Sequence, residues 1–366
     1  MTSTFHTAGF HAARFQPARF QPGDFQPARF RPSVRTRVAT TVAAGLLFLA
    51  SLAMTTPASA QQRNPLQTIG QTVADHASHA YAFERFTVAS HDGSRTWRVH
   101  VAVPKTPAPA AGWPTFWMLD GNAALIEFDD ALLEELAAQP EPHALVFIGY
   151  DNDLRIDSPQ RNRDYTPAVL PPEDAETAPL GSGGADALAE LIERTIRPQL
   201  AQRMPIDPQR QTLWGHSLGG LFVLHTLYTR TGAFQTYVAG SPSMWWGDAH
   251  AVRESERFIA HNVGHPARVI IHLGGAERVG DRGRRDLTNP RVVAHLRRIQ
   301  AATPDAAMQL AGTLATVPGI EASYREFPGL GHGPMFRASL MGALHAVTGV
   351  ADRSNTPRPS TGDADQ

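Results

Sequence analysis

From residue 83 to residue 350 the chain alternates short apolar runs with longer stretches of helical spacing. Phe83-Glu-Arg-Phe-Thr-Val-Ala89 and Trp97-Arg-Val-His-Val-Ala-Val103 mix apolar and polar residues on either side of His91-Asp-Gly-Ser94. That pattern predicts an opening β-hairpin. Thr115-Phe-Trp-Met-Leu119 and Ala144-Leu-Val-Phe-Ile-Gly149 are apolar throughout, as parallel strands covered on both faces must be. A helix is expected over 123–138 and another over 184–200, with Leu188, Leu191, Ile192, Ile196 and Leu200 on one face. Beyond them the pattern predicts a strand with Gln211-Thr-Leu-Trp214 as its apolar part, ending at Ser217, a helix from Leu221, strands at 236–240, 268–273 and 323–327, and helices near 249–262, 290–314 and 334–347. Strands alternating with helices make an α/β fold, a mostly parallel central sheet with helices on both faces. Two long loops, 150–183 and 274–289, interrupt it.

The first 60 residues lie outside this pattern. Phe15-Gln-Pro-Ala-Arg-Phe20 and Phe25-Gln-Pro-Ala-Arg-Phe30 repeat a unit with too little aliphatic content to build a core, so disorder is expected. Arg35 and Arg37, an apolar run from Val42 to Met54, and Ala58-Ser-Ala60 before Gln61 then read as a secretory signal peptide. The run is short for a membrane span, so no stable span is expected after cleavage and the protein is placed in the periplasm or medium. The length of the tail before the basic residues suggests a true start downstream, near Val34. The organisation expected is thus residues 1–60 as repeat and signal, 61–82 as an amino-terminal segment, 83–350 as one domain and 351–366 as a loose tail. The absence of cysteine excludes disulfides, thiolate metal sites and a cysteine nucleophile. A formal charge of −1 argues against nucleic acid as a partner. Among 16 histidines there is no H-E-x-x-H or comparable ligand cluster, so no metal is expected.

The chemistry centres on Gly215-His216-Ser217-Leu218-Gly219, a G-x-S-x-G match between a strand and a helix, which is the context of a nucleophile elbow. A serine on so tight a turn needs small residues on both sides, and Gly220 adds room for the helix to approach the sheet. Ser217 needs a base, and His332 lies in the glycine-rich Gly329-Leu-Gly-His-Gly333 loop directly after the last strand. His216 is adjacent to the serine and is set aside as the base. For the acid that orients the imidazole, Glu277 stands four residues past Leu273 and is favoured over Asp281 and Asp286; a Ser–His pair without an acid stays open. The oxyanion donors expected are the backbone N–H of Leu218 and a second N–H from Asp120-Gly121-Asn122, with Asn122 preferred.

Leu119-Asp-Gly-Asn122, Arg163-Asp-Tyr-Thr-Pro167, Gly183-Gly-Ala-Asp186, the elbow, Ser241-Pro-Ser-Met-Trp-Trp246 and Gly331-His-Gly333 together resemble the esterase-D-like branch of the α/β-hydrolases. The likeness runs from about Phe83 to Val347 and is greatest to periplasmic trilactone siderophore esterases of the enterobactin type. It implies an α/β-hydrolase that cleaves carboxylic esters through an acyl-enzyme, with Ser217 and His332 in those roles and no cofactor. It further implies a small ester substrate or its iron complex, received by aromatic and basic residues at the mouth, for which Arg163 and Trp245 are the first candidates and Arg155, Arg161 and Trp246 the others. Alternatives are a general exported carboxylesterase or acyltransferase, and a non-catalytic binding protein on the same fold.

Overall fold

The computed structural model describes residues 66–168, 181–261, 264–278, 293 and 302–357. The expectations for the repeat and signal, for Asp281 and Asp286, and for the last nine residues fall outside these. Eight strands form one sheet in the order β1-β2-β4-β3-β5-β6-β7-β8. They are β1 Tyr81–Ala89, β2 Thr96–Pro104, β3 Trp113–Met118, β4 Ala144–Tyr150, β5 Ile206–His216, β6 Thr236–Gly240, β7 Ala267–Gly274 and β8 Ile320–Phe327. The hairpin β1/β2 is antiparallel, with Ala89 opposite Thr96, and β2 pairs antiparallel with β4. From β4 to β8 every pairing is parallel.

Side-chain alternation along these strands divides the core into two layers. Trp117, Val146, Ile148, Leu213, Tyr237, Ala239, Val269 and Ile271 face one side, beneath α4 Ala185–Leu191, α6 Leu218–Thr229, α7 Trp246–His261 and α9 Ala306–Leu314. Phe116, Met118, Leu145, Phe147, Trp214, Val238 and Ile270 face the other, beneath α1 Gly121–Leu125, α2 Asp130–Ala137 and α10 Met335–Thr348. The remaining helices are α3 Ser158–Asp164, α5 Arg197–Arg203 and the single turn α8 Gly275–Arg278. Helix α6 is buried from Gly219 through Tyr228, as expected of a helix that is apolar all round and has the sheet on one side and α7 on the other.

Three boundaries differ from the sequence reading. The helix expected over 123–138 is two helices, because Asp129 caps α2 by accepting from the Leu132 N–H at 2.7 Å and so starts a new helix. The helix expected over 184–200 widens into a π-helical turn at Ile192–Ile196, just where Pro198 withdraws a backbone donor. Strand β5 begins at Ile206, five residues earlier than the apolar pattern suggests; Asp207-Pro208 and Arg210 disguise it, and its register with β3 shifts there. The tail expected to be loose from residue 351 is tied down at its start. Arg353 Nη2 donates to Glu135 Oε2 at 2.6 Å and Arg325 Nη2 to Asp352 Oδ2 at 2.7 Å. No helix among the described residues is long and apolar enough to cross a membrane.

Candidate active site

Strands β5, β7 and β8 are parallel and end at the same edge of the sheet, so the residues that follow them converge. Ser217 follows β5 at once, with φ 62° and ψ −115°, a region that costs a non-glycine residue about 1–3 kcal/mol. The surroundings fix it there: its N–H donates to Gly240 O at 2.8 Å, and its carbonyl accepts from Leu221 and Ser243 N–H at 3.0 Å each. The flanking glycines are not equivalent. A Cβ on Gly215 would lie 2.5 Å from the Gly219 carbonyl, and one on Gly220 would lie 3.0 Å from Gly240 O and Pro242 Cα, whereas one on Gly219 would meet only ordinary contacts at 3.7 Å or more. Gly215 is therefore sterically required, Gly220 sits in a tight space that a side chain would have to push open, and Gly219 has room.

The His332 loop folds back over the end of β7. His332 Nε2 lies 2.9 Å from Ser217 Oγ, and His332 Nδ1 lies 2.6 Å from Glu277 Oε2. Gly274 makes this approach possible, since a Cβ there would strike Leu330 O at 2.2 Å and Glu277 Oε1 at 2.9 Å. The Ala276 N–H donates to Leu330 O at 3.1 Å and joins the Glu277 turn to the histidine loop. The other carboxylate oxygen, Oε1, accepts from Ser241 Oγ at 2.6 Å and from the Gly274 N–H at 3.1 Å. Burial by itself would raise the Glu277 carboxyl, but the hydrogen bond and charge of His332, with those two donors, hold it below the ordinary carboxylate range. Its neighbour Arg278 pairs with Asp305 and Glu326 and leaves Glu277 to the histidine. Ring packing accounts for His216, whose centroid is 4.7 Å from that of His332 and 5.5 Å from that of Phe336.

The rim departs from the sequence reading in several places. The Asn122 carboxamide nitrogen faces the carbonyls of Asn152 at 2.8 Å, Leu154 at 3.0 Å and Tyr150 at 3.3 Å, so the side chain is committed to the β4 end and only the backbone N–H remains as a donor. Leu218 opens α6, and its N–H belongs to the first turn, where no intrahelical acceptor exists. Arg163 is exposed and lines a cleft of ≈ 590 Å³ with Ser94, Arg95, Asp151 and Gln160. The arginine that reaches the elbow is Arg161, about half a turn round α3. Its Nε and Nη2 each donate to the Asp120 carboxylate at 2.9 Å, and Nη2 also donates to His216 O at 3.2 Å. Arg155 lies over the Phe336 ring and 3.6 Å from Glu127, so it too is engaged internally. Trp246 is buried, while Trp245 is half-buried on the β6–α7 loop, two residues past Ser243, whose Oγ is 3.3 Å from Ser217 Oγ. Sequence reasoning gave Ser241, Ser243 and the Asp120–Arg161 pair no such part; Ser241-Pro-Ser243 stood within a quoted motif without a role.

A family profile described as "Putative esterase" matches residues 90–347. The chain belongs to that esterase family. It is 33% identical over 304 residues to the apo-salmochelin esterase of Escherichia coli O6:H1 (strain CFT073), covering 82% of this chain and 90% of that one. To the ferri-bacillibactin esterase BesA of Bacillus subtilis (strain 168) it is 31% identical over 258 residues, 67% of this chain and 82% of the relative. Among solved structures, the enterobactin hydrolase IroE in complex with DFP, a serine-hydrolase inhibitor, superposes with TM-score 0.59 at 34% identity over 76% of this chain and 99% of that one. The fold is that of the α/β-hydrolases, and this member of the esterase family is a serine ester hydrolase.

Proposed function

We propose that the chain hydrolyses trilactone siderophore esters, free or as the iron complex, through an acyl-enzyme on Ser217. The observation that carries the chemistry is the unbroken line from Ser217 Oγ through the His332 ring to the Glu277 carboxylate, 2.9 Å and 2.6 Å long, at the carboxyl edge of the sheet. His332 Nε2 takes the hydroxyl proton as Oγ attacks the ester carbonyl, and it returns that proton to the departing alkoxide. A water activated by the same nitrogen then cleaves the acyl-enzyme. Glu277, anionic and accepting from Nδ1–H, fixes the tautomer and stabilises the imidazolium. The backbone N–H groups of Leu218 and Asn122 receive the oxyanion.

The substrate reading rests on the relatives, which are described as esterases of salmochelin and bacillibactin. Trp245, half-buried two residues past Ser243, supplies a face on which an aromatic arm can stack. Export to the periplasm or medium follows from Arg35, Arg37, the apolar Val42–Met54 run and Ala58-Ser-Ala60. The deciding assay measures hydrolysis of a trilactone catecholate siderophore, with and without iron, beside a nitrophenyl acyl ester, for the native chain and Ser217→Ala. Trilactone cleavage that greatly exceeds nitrophenyl ester cleavage, and falls on the order of 10⁴- to 10⁶-fold in the variant, is expected. Serine-dependent cleavage of the simple ester alone defeats the substrate reading and leaves the esterase.

A further inference from the structure

We infer a second, non-catalytic site in which His225, His250 and Glu254 bind one divalent cation of the zinc class and tie α6 to α7. The cluster lies about two turns along α6 from the elbow. His225, Glu254 and His250 are 3%, 7% and 8% exposed, and one donor atom from each lies within 4.8 Å of the others. His225 Nδ1 is 2.9 Å from Glu254 Oε1, and His250 Nε2 is 3.7 Å from the same oxygen. In a tetrahedral zinc site, ligand atoms about 2.0–2.1 Å from the metal are roughly 3.4 Å apart, so the two histidine–carboxylate separations need change only by about half an ångström. Two imidazoles and a carboxylate are a donor set that zinc accepts.

Three further observations point to a cation rather than to a closed hydrogen-bond network. First, His250 Nε2 has no hydrogen-bond partner among the described residues, although it is buried and directed at the carboxylate. A buried ring nitrogen held 3.7 Å from a carboxylate, beyond hydrogen-bond reach, is costly in a structural network and useful in a ligand. Second, the far nitrogen of His225, Nε2, lies 3.4 Å from Asp186 Oδ1. When a metal takes the place of the proton that Nδ1 shares with Glu254, at 2.9 and 3.0 Å from its two oxygens, a carboxylate at Nε2 accepts the ring's remaining proton, which is how metal-bound histidines are oriented. Arg230, 3.8 Å from the same Asp186 oxygen, shares that carboxylate without entering the cluster. Third, Glu254 lines a surface cleft of ≈ 500 Å³ with Tyr228, Arg257, Phe258, His261 and His265, which gives an ion a way in and leaves room for a water as fourth ligand. The sequence reading found no ligand cluster because His250 and Glu254 are one helical turn apart on α7, whereas His225 comes from α6.

The test uses the full chain, stripped with EDTA and dialysed, with zinc chloride alone as probe. Titration calorimetry is expected to give one zinc per chain, and a hundredfold excess over Kd to raise the melting temperature by about 5 °C. His250→Ala removes a nitrogen with no hydrogen bond to lose, so it is expected to melt within about 2 °C of the native chain in EDTA and to bind zinc on the order of 100-fold more weakly. Asp186→Asn is expected to weaken binding roughly 10- to 100-fold, and His261→Ala, at the cleft wall, to leave it unchanged. Should His250→Ala not fold, cobalt(II) added to the native chain decides: a strong visible absorption band with unit stoichiometry supports a four-coordinate site. Absence of stoichiometric zinc or of that band, or equal zinc binding by the native chain and a folded His250→Ala, overturns the site.

Discussion

The molecule contains the same imidazole–carboxylate pair twice. At the sheet edge, His332 Nδ1 faces Glu277 at 2.6 Å; between α6 and α7, His225 Nδ1 faces Glu254 at 2.9 Å. What differs is the other ring nitrogen. His332 Nε2 meets a neutral hydroxyl, Ser217 Oγ, at a half-open edge, whereas His225 Nε2 meets the Asp186 carboxylate and its side chain is 4% exposed. A nitrogen opposite a hydroxyl can accept a proton and return it. One opposite a second carboxylate keeps its own. The pair by itself is not an active site, and its function is decided by what faces its far side and by whether substrate can reach it.

The widest separation between the two regions is expected from one exchange made in both. Glu277→Gln keeps the volume but removes the charge that fixes the His332 tautomer, and kcat is expected to fall on the order of 10⁴-fold. Glu254→Gln is expected to register in thermal unfolding instead, at about 1–3 kcal/mol, because a buried imidazole loses its charged acceptor. Equal falls in kcat at the two positions would remove the distinction.

Next in size is a difference in support. The edge site stands on a left-handed Asp120 and a strained Ser217, and Arg161 joins them by bonding both the Asp120 carboxylate and His216 O. Arg161→Met leaves Asp120, 4% exposed, without its cation, and a loss of about 3–5 kcal/mol in chemical denaturation is expected. Arg163→Met, on the exposed side of the same helix, is expected to stay within about 0.5 kcal/mol. Similar losses at both positions would show that Arg161 has no special part in the elbow.

This pair of arginines also marks where the sequence stops being informative. The sheet was legible because its central strands are apolar throughout, and the meeting of Ser217, Glu277 and His332 was legible because each follows a readable strand by a few residues. Which side of α3 reaches the elbow depends on how a seven-residue helix is rotated against β3 and β5, and Arg161 and Arg163 look alike until that rotation is set. The His225 cluster was invisible for a similar reason. Only the packing of α6 against α7 brings His225 to His250 and Glu254, and no spacing along the chain encodes it.

A third imidazole sharpens the comparison by having no carboxylate in hydrogen-bond contact. His272, in β7, is 1% exposed and sits 3.3 Å from Ser339 Oγ, which also accepts from Trp214 Nε1. Burial first, and then the charge of Arg325, push its pKa down to about 4. In the unfolded chain it titrates near 6.5, so between those values the unfolded state binds more protons and stability falls as pH falls. The contribution is complete above about pH 6.5 and is lost by about pH 4, at roughly 3 kcal/mol for a fully buried ring. Denaturation midpoints for the native chain and His272→Asn at pH 7 and pH 4.5 are expected to differ in slope, with the variant flatter. Parallel slopes would assign the acid sensitivity to other groups, such as His100 and His143, which burial also lowers to about 4.

The smallest effect concerns how far the elbow's steric demands extend into α6, the helix that connects the two regions. Gly215 cannot carry a side chain, because its Cβ would overlap the Gly219 carbonyl at 2.5 Å. Gly219 itself is different: a Cβ there meets Leu119 at 3.7 Å and Asp120 Oδ2 at 3.8 Å, and its φ is not positive. Alanine at position 219 fits, reduces the freedom of the unfolded chain and suits the first turn of a helix. Gly219→Ala is therefore expected to stabilise the protein by about 0.5–1 kcal/mol, a rise of roughly 1–3 °C in melting temperature. A fall in melting temperature would mean that the β3 turn carrying Asp120 packs against α6 too tightly to accept a methyl group. The steric constraint on the elbow would then reach past Ser217 into the helix, instead of ending at the strand side and at Gly220.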